Sequence, residues 1–223
     1  MARAVRFPAQ ERNPPLDRSL SALIAVRNAQ STLRAAAFEM LDVMPELTSR
    51  FELVIIDDCS TDATIEVADE LAAVYPQLFA VRHSIPLGHA AAIRTGIDRS
   101  LGEVIFFADE NCGLPLNQVR RLWTALGQYD LVMGYPAGLD DSPDAIHGLA
   151  CPSGGCQMGY RRVLRGVADS LGDPTSFLAS LRRSGVSWHE IGIGNGVPWS
   201  MHRFSPLAPP RYAGRLKQAS AEP

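Results

Sequence analysis

Short apolar runs alternate with helical patterns along most of this chain, and that alternation constrains the fold more than any other feature. Several runs are apolar at every position, as in strands that are buried on both faces of a parallel sheet. The predicted strands are Leu20–Val26, Phe51–Ile56, Leu78–Val81, Val104–Ala108 and Leu131–Met133. Strands separated by helices predict an α/β fold with a mostly parallel, doubly wound sheet in a single domain.

The helices expected between these strands have recognisable boundary residues. Ser31 can cap the first helix, which is expected to end at Pro45 because proline interrupts the helical hydrogen bonds. Ser60 or Thr61 can cap the second helix. Two further helices are expected from His89 to Ser100 and from Pro115 onward.

The pattern changes beyond the fifth strand. Residues 135–152 are rich in Gly, Pro and Asp and predict a long loop, either a lid or a disordered segment. Two helices (Tyr160–Leu171 and Ser176–Arg183) and a strand (Ser187–Ile193) are expected after it. The predicted organisation is a flexible arm at 1–18, a domain at 19–216 with halves at about 20–134 and 135–216, and a flexible tail at 217–223.

Composition excludes several classes of function. The net charge is −3 at pH 7 and the pI is near 5.9, so no basic field attracts nucleic acid. The four cysteines form no CxxC pair, which argues against a structural zinc site and favours a reducing compartment. No segment has the apolar length of a signal peptide or of a membrane helix. We expect a cytoplasmic protein that can also bind peripherally at the inner membrane face.

Polar side chains follow three of the predicted strands at the point where each strand ends. They are Arg27 and Asn28, Asp57 and Asp58, and Asp109, Glu110 and Asn111. Ligands of doubly wound sheets bind beyond the carboxyl ends of the strands, so these residues are expected to share one cleft. The carboxylates after the second strand could accept hydrogen bonds from a nucleobase or a ribose, or they could cap the next helix.

Asp109 and Asn111 form a candidate metal site. Side chains alternate along an extended segment, so these two are expected to face one way and Glu110 the other. Mg²⁺ and Mn²⁺ prefer oxygen ligands and retain substrate phosphates as partners. A cation held here would neutralise the charge that develops on a departing nucleoside diphosphate.

Four segments together resemble the family-2 glycosyltransferases of the GT-A fold. They are IAVRNA at 24–29, VIIDDCSTDAT at 54–64, GHAAAIRTGI at 88–97 and GEVIFFADEN at 102–111, in the family's order and spacing. The third segment looks most like the dolichyl- or polyprenyl-phosphate sugar synthases, and segments 155–162, 189–191 and 201–214 are similar to theirs in order. A dinucleotide-binding fold is excluded because no GxGxxG follows the first strand.

The resemblance implies an inverting transfer of a sugar from a UDP- or GDP-linked donor, with a polyprenyl phosphate at the membrane surface as one candidate acceptor. The residues that it assigns to substrate binding are Ala25, Arg27, Asn28, Asp57, Asp58, Arg94, Asp109, Glu110, Arg161, Arg162 and Arg203. The implied Mg²⁺ or Mn²⁺ would be held by Asp109, Asn111 and His202. Asp109 and Asp173 are the candidate catalytic residues, the second as a base if the acceptor is a hydroxyl.

Some of these residues also have simpler interpretations. Arg161 and Arg162 could bind phosphate or lie on a solvated helix face. His202 could be a third metal ligand or a surface histidine. Asp173 precedes Pro174, and we expect it to cap the next helix.

The chain departs from the family pattern at several motif positions. Ala25 and Arg27 replace the usual Pro and Tyr, and Cys59 replaces a Gly. Asn111 stands where a second carboxylate belongs, so metal affinity is expected to fall because an amide oxygen carries no charge. These changes leave a second function open, in which a degenerate member of the family binds nucleotide or a protein partner without transferring sugar.

Overall fold

Seven strands form one sheet in the computed structural model, which describes residues 18–108, 116–136 and 155–193. In chain order they are β1 (Leu20–Val26), β2 (Phe51–Asp57), β3 (Leu78–Arg82), β4 (Val104–Ala108), β5 (Leu131–Pro136), β6 (Cys156–Tyr160) and β7 (Trp188–Ile193). The spatial order is β3-β2-β1-β4-β6-β5-β7, and within it only β6 runs antiparallel to its neighbours. The predicted α/β class with a mostly parallel sheet is confirmed.

Helices in the described ranges cover both faces of the sheet. They are α1 (Leu33–Leu47), α2 (Thr64–Val74), α3 (His89–Arg99), α4 (Leu116–Ala125), α5 (Arg161–Val167) and α6 (Pro174–Ser184), with a 3₁₀ turn at Ala168–Ser170. Helices α1, α2 and α4 pack on one face, and α3, α5 and α6 pack on the other. The sheet is therefore doubly wound, as predicted.

Strand β2 explains why both faces are covered. Its side chains from Leu53 to Ile56 are fully buried. Ile55 packs in the core on the α1 face, and Ile56 packs in the core on the α3 face. A strand that is apolar on both faces gains the free energy of burial only when each face is shielded from water.

Gly102 permits a close approach between the start of β4 and β1. A Cβ atom at this position would lie 2.6 Å from the Ser21 backbone nitrogen and 2.9 Å from the Leu20 carbonyl carbon. The Gly102 N–H also donates to Ser21 Oγ over 2.8 Å. A larger residue would push apart two strands whose other ends carry the predicted site.

The first helix does not end where the sequence predicts. Pro45 lies inside α1, which continues to Leu47, and the Thr48 N–H donates to Met44 O over 3.1 Å. Proline removes one helical hydrogen bond, but Met44 and Leu47 are buried in the core on either side of it. The burial of these two side chains outweighs the lost hydrogen bond.

The predicted caps of the first two helices are also wrong. Thr32 and Ala63 occupy the N-cap positions of α1 and α2, rather than Ser31 and one of the two hydroxyl residues after β2, and neither makes a capping side-chain hydrogen bond. The Ser60 hydroxyl donates instead to Asp57, in the loop that follows β2. The Ser60 side chain therefore holds the loop after β2 rather than the start of α2.

Strand β6 is absent from the sequence prediction. It pairs with β4 from Cys156 beside Ala108 to Tyr160 beside Val104. The following helix begins at Arg161 and is shorter than the predicted Tyr160–Leu171, because α5 ends at Val167 and a 3₁₀ turn follows it. The run CQMGY has no clear strand periodicity, so its extended conformation depends on the neighbouring strands β4 and β5.

Several predictions lie outside the described residues. They are the arm at 1–18 apart from Arg18, the start of a helix at Pro115, the loop 135–152 beyond Pro136, and the tail 217–223. The division into a donor half and an acceptor half stays a prediction. No helix in the described ranges is long and apolar enough to span a membrane.

Candidate functional site

The carboxyl ends of β1, β2 and β3 lie side by side. Val26 pairs with Asp57, and Asp57 pairs with Arg82, so the residues after each strand emerge at the same edge of the sheet. The Asp58 N–H donates to Val26 O and the His83 N–H donates to Asp57 O, each over 2.9 Å. The loops after β1 and β2 therefore converge, as the sequence predicts.

The Asp57 carboxylate is fully enclosed at the end of β2. It accepts hydrogen bonds from the Ser60 hydroxyl and, over 3.1 Å, from the Ser60 N–H. The Arg82 Nε atom lies 3.4 Å from its second oxygen. A buried carboxylate needs such partners because an unpaired buried charge is strongly destabilising. Asp57 therefore holds the loop together and offers a ligand no exposed surface.

The Asp58 carboxylate lies one residue further out and keeps 7% of its side chain exposed. Its Oδ1 atom accepts hydrogen bonds from His83 Nδ1 and from the Leu87 N–H, each over 2.8 Å. Its Oδ2 atom accepts one from the Gly88 N–H, also over 2.8 Å. An ionised carboxylate only accepts hydrogen bonds, so His83 Nδ1 carries the proton. Asp58 thus links the ends of β2 and β3 to the start of α3.

The same hydrogen bonds keep Asp58 ionised. Burial is the largest single effect on the pKa of this carboxyl group and acts to raise it. The hydrogen bonds from Leu87, His83 and Gly88 together outweigh burial, so the pKa lies below its ordinary value. Asp58 is a carboxylate at neutral pH and can accept a further hydrogen bond from a ligand.

Asn28 joins the loop after β1 to the loop after β2. Its φ of 54° is a left-handed conformation, which asparagine adopts more readily than most residues. The Asn28 N–H donates to Ser60 Oγ, and the Thr61 N–H donates to Asn28 Oδ1, each over 2.9 Å. Asn28 thus fixes the two loops relative to each other while it remains exposed at the edge of the sheet.

Cys59 occupies a second left-handed position, with a φ of 59°. Glycine adopts this conformation without the steric cost that a Cβ atom brings, which explains why the family pattern has glycine here. The Cys59 Sγ atom lies 3.6 Å from Ser84 O. The loop that carries Asp57 and Asp58 therefore contains a residue with a strained backbone.

The remaining motif residues at this edge follow β1 and β4. Ala25 is buried in the core on the α3 face, and Arg27 is exposed just beyond β1. Strand β4 is parallel to β1, so its last residue, Ala108, lies at the same edge. The predicted residues Asp109, Glu110, Asn111, His202 and Arg203 lie outside the described residues.

Arg161 and Arg162 lie at the opposite edge of the sheet from Asp58. Strand β6 runs antiparallel to β4 and ends beside Val104, the first residue of β4, so α5 begins at the amino edge. Arg161 donates there to Ser100 O over 2.7 Å. The structure therefore separates this arginine pair from the predicted nucleotide site, because the intervening strand β6 reverses the direction of the chain.

Arg94 extends from α3 towards the 3₁₀ turn. Its guanidinium forms a 3.0 Å ion pair with the exposed carboxylate of Asp169. The pair ties α3 to the segment between α5 and α6. A role for Arg94 in substrate binding stays a prediction.

Asp173 caps α6. Its carboxylate oxygens accept hydrogen bonds from the N–H groups of Thr175 and Ser176, each over 3.2 Å, and from the Ser176 hydroxyl. The Ser176 side-chain hydrogen bond is the main cause that holds the pKa of Asp173 below its ordinary value. A Cβ atom on Gly172 would lie 3.3 Å from Ala90 Cβ in the first turn of α3, which places Asp173 near the carboxyl edge. The expected capping role is confirmed.

Arg82, His83 and Thr95 belong to this site but are absent from the sequence prediction. His83 Nε2 lies 2.9 Å from Thr95 Oγ1. Ligands of doubly wound sheets bind beyond the carboxyl ends of the strands, and this applies to β3 as well as to β1, β2 and β4. The same rule therefore indicates Arg82 and His83. Thr95 carries no such signal, because its position depends on how α3 packs against the sheet.

The described residues contain no group of three or more His, Cys, Asp or Glu side chains that could hold a metal ion. Asp57 and Asp58 accept hydrogen bonds from N–H and O–H groups. These donors occupy the positions that a cation would need. Within the described part of the chain, both carboxylates therefore act as hydrogen-bond acceptors that hold the loops at the ends of the strands.

The chain has the GT-A glycosyltransferase fold. Its features are a doubly wound sheet in this strand order, one antiparallel strand, and polar residues at the ends of β1 and β2. The chain belongs to glycosyl transferase family 2, whose profile matches residues 21–185.

Curated relatives include undecaprenyl-phosphate 4-deoxy-4-formamido-L-arabinose transferases. The transferase of Aeromonas hydrophila subsp. hydrophila is 30% identical over 115 residues, which are 51% of this chain and 35% of the relative. That of Pseudomonas savastanoi pv. phaseolicola is 26% identical over 181 residues, which are 74% of this chain and 54% of the relative. The chain thus spans between 35% and 54% of the length of these two relatives.

Two solved glycosyltransferases share the fold. The mannosyltransferase PcManGT from Pyrobaculum calidifontis, in complex with GDP-Man and Mn²⁺, has a TM-score of 0.62 and 15% identity over 83% of this chain and 59% of that one. The second is glucosyl-3-phosphoglycerate synthase from Mycobacterium tuberculosis in complex with Mn²⁺, UDP and phosphoglyceric acid. It has a TM-score of 0.59 and 17% sequence identity, and the match covers 92% of this chain and 74% of that one. At these identities the likeness concerns the fold alone.

Proposed function

We propose that this chain transfers a sugar, with inversion, from a UDP- or GDP-linked donor to the phosphate of a polyprenyl lipid. The observation that carries the proposal is the ionised Asp58 carboxylate, which keeps 7% of its side chain exposed at the carboxyl edge of the sheet. A carboxylate held in this way can accept hydrogen bonds from nucleobase N–H groups or ribose hydroxyls. The two solved relatives contain GDP-Man or UDP together with Mn²⁺, which supports a nucleotide-sugar donor.

The residues after β4 would hold the diphosphate side of the donor. Asp109 directly follows the last residue of β4, and with Asn111 and His202 it would hold Mg²⁺ or Mn²⁺. The bound metal would supply positive charge that stabilises the departing nucleoside diphosphate. Glu110 and Arg203 are further candidate ligands of the donor, while Asp58 would face the nucleoside.

A phosphate acceptor needs no general base, and the candidate base of this chain is poorly suited to that role. Transfer to a hydroxyl needs a general base, whereas a lipid phosphate is already an anion. The candidate base, Asp173, has both oxygens engaged in capping α6 and a lowered pKa, so it is a weak proton acceptor. The names of the undecaprenyl-phosphate sugar transferases among the relatives support the same acceptor class.

The proposal is tested by measuring UDP or GDP release from nucleotide-sugars in the presence of polyprenyl phosphate and Mn²⁺. Release is expected only when donor, acceptor and metal are all present. Asp109→Ala should lower the rate by about a hundredfold or more, since it removes the charged metal ligand. Asp69→Ala, which alters an exposed carboxylate on α2, is the matched control and should keep the wild-type rate. Turnover unaffected by Asp109→Ala would remove Asp109 from the mechanism.

A second candidate function follows from Asn111, which replaces a charged ligand by a neutral one. In this alternative the chain binds nucleotide or a protein partner and transfers no sugar. Calorimetric titration with UDP and GDP, with and without Mn²⁺, discriminates between the two functions. Metal-independent nucleotide binding, with no turnover even in Asn111→Asp, would favour the alternative.

A further inference from the structure

Asp58 retains few free hydrogen-bond acceptor positions. An ionised carboxylate offers about four lone-pair positions, two on each oxygen. In the folded chain Oδ1 already accepts hydrogen bonds from His83 Nδ1 and the Leu87 N–H, and Oδ2 accepts one from the Gly88 N–H. Oδ1 is therefore saturated, and Oδ2 keeps a single position that no residue of the described ranges fills.

His83 is held in place as the donor to Oδ1. Its side chain is only 8% exposed, and its Nε2 atom lies 2.9 Å from Thr95 Oγ1. Nδ1 faces Asp58 and Nε2 faces the Thr95 hydroxyl, so both ring nitrogens have a hydrogen-bond partner. The ring cannot turn away from Asp58 without losing both hydrogen bonds.

Uracil and guanine present different numbers of N–H donors to a carboxylate. Uracil presents a single donor, N3–H, between two carbonyl oxygens. Guanine presents two donors side by side, N1–H and an N2–H, which pair with both oxygens of one carboxylate. A carboxylate whose first oxygen is saturated can satisfy the uracil donor, but it leaves one guanine donor without a partner.

We propose that His83 sets the nucleobase specificity of the site: by occupying Oδ1 of Asp58, it makes the site bind uridine nucleotides in preference to guanosine nucleotides. The inference rests on the proposed function, in which Asp58 faces the nucleoside. Of the two carboxylates at the end of β2, Asp58 is the one that can do so, because Asp57 is fully enclosed whereas Asp58 keeps 7% of its side chain exposed. One lost hydrogen bond to a charged group corresponds to about a tenfold loss of affinity or more.

Calorimetric titration of the full chain with UDP and with GDP, in the presence of Mn²⁺, tests this specificity. Wild-type protein should bind UDP at least about tenfold more tightly than GDP. His83→Leu removes the donor and frees a position on Oδ1, so the ratio of the two dissociation constants should move towards one. His83→Asn keeps an N–H donor near the Nδ1 position and should retain the preference for UDP.

The possible outcomes separate this inference from the proposed function. If wild-type protein binds GDP as tightly as UDP, the inference is overturned while the nucleotide-sugar function stands. An unchanged ratio in folded His83→Leu also overturns it. If wild-type protein binds neither nucleotide, the proposed function itself fails. Circular dichroism identifies a variant that does not fold. If His83→Leu does not fold, the wild-type ratio and His83→Asn decide. A retained preference for UDP in His83→Asn supports the inference, and a lost preference overturns it.

Discussion

Exchanging Asp58 for asparagine keeps the size of the side chain but removes its charge and one acceptor oxygen. In the wild-type protein three N–H groups, from His83, Leu87 and Gly88, donate to the carboxylate, each over 2.8 Å. In the variant the amide oxygen can accept from two of these groups. The amide nitrogen then faces the third group, donor against donor.

The magnitude follows from these three hydrogen bonds. A partly buried donor that loses its acceptor costs about 1 kcal/mol or more, and each bond that changes from a charged to a neutral acceptor loses roughly half its strength. We expect the free energy of unfolding to fall by about 2–3 kcal/mol. In a chain of this length, that change lowers Tm by about 4–12 °C.

The dependence on pH distinguishes this effect from a change in packing. The pKa of Asp58 is lowered in the folded state, so its stabilising contribution is present above the unfolded pKa of about 3.9 and is lost as the pH falls through the folded value. The difference in stability between wild type and Asp58→Asn should therefore shrink below about pH 4. Urea-induced unfolding, followed by circular dichroism and extrapolated to water, measures the difference at each pH.

Asp173→Asn is the matched control for this exchange. Asparagine caps a helix about as well as aspartate, so the unfolding midpoint of this variant should stay close to that of the wild type. If the free energies of unfolding of Asp58→Asn and wild type differ by less than about 0.5 kcal/mol at pH 7, the reasoning is refuted, because surface substitutions alone cause changes of that size.

Two further predictions concern backbone positions, Gly102 at the amino edge of the sheet and Cys59 in the loop after β2. Gly102→Ala would bring a Cβ atom within 2.6 Å of the Ser21 backbone nitrogen, so urea unfolding should show a loss of about 1–3 kcal/mol. Gly166→Ala, where no atom lies within 4 Å, should instead raise stability by about 0.5–1 kcal/mol, and a loss of the same size in both variants would contradict the close approach as the cause. Cys59→Gly should raise the free energy of unfolding by up to about 1 kcal/mol, because a φ of 59° costs glycine less than cysteine. Lower thermal stability of Cys59→Gly would show that the Sγ contact with Ser84 matters more than backbone strain.

Residues that directly follow a buried strand could be assigned to the site from the sequence. Asp58 and Asn28 were predicted in this way, and the pairing of β1 with β2 places them at one edge. His83 and Thr95 illustrate the limit of the approach. Their contact with Asp58 depends on how α3 and the loop before it pack against the sheet, and no local pattern encodes that packing.

The sequence by itself determined the α/β class, the burial of both sheet faces and the loops that meet at the carboxyl edge. It could do so because the spacing of apolar residues within a segment decides which of its faces must leave water. Only the tertiary structure decided that β6 runs antiparallel, that Arg161 and Arg162 therefore lie at the far edge, and that one acceptor position of Asp58 is left unfilled by the described residues. These features depend on hydrogen bonds and pairing between segments that are distant along the chain, whose energies appear only once the sheet has formed.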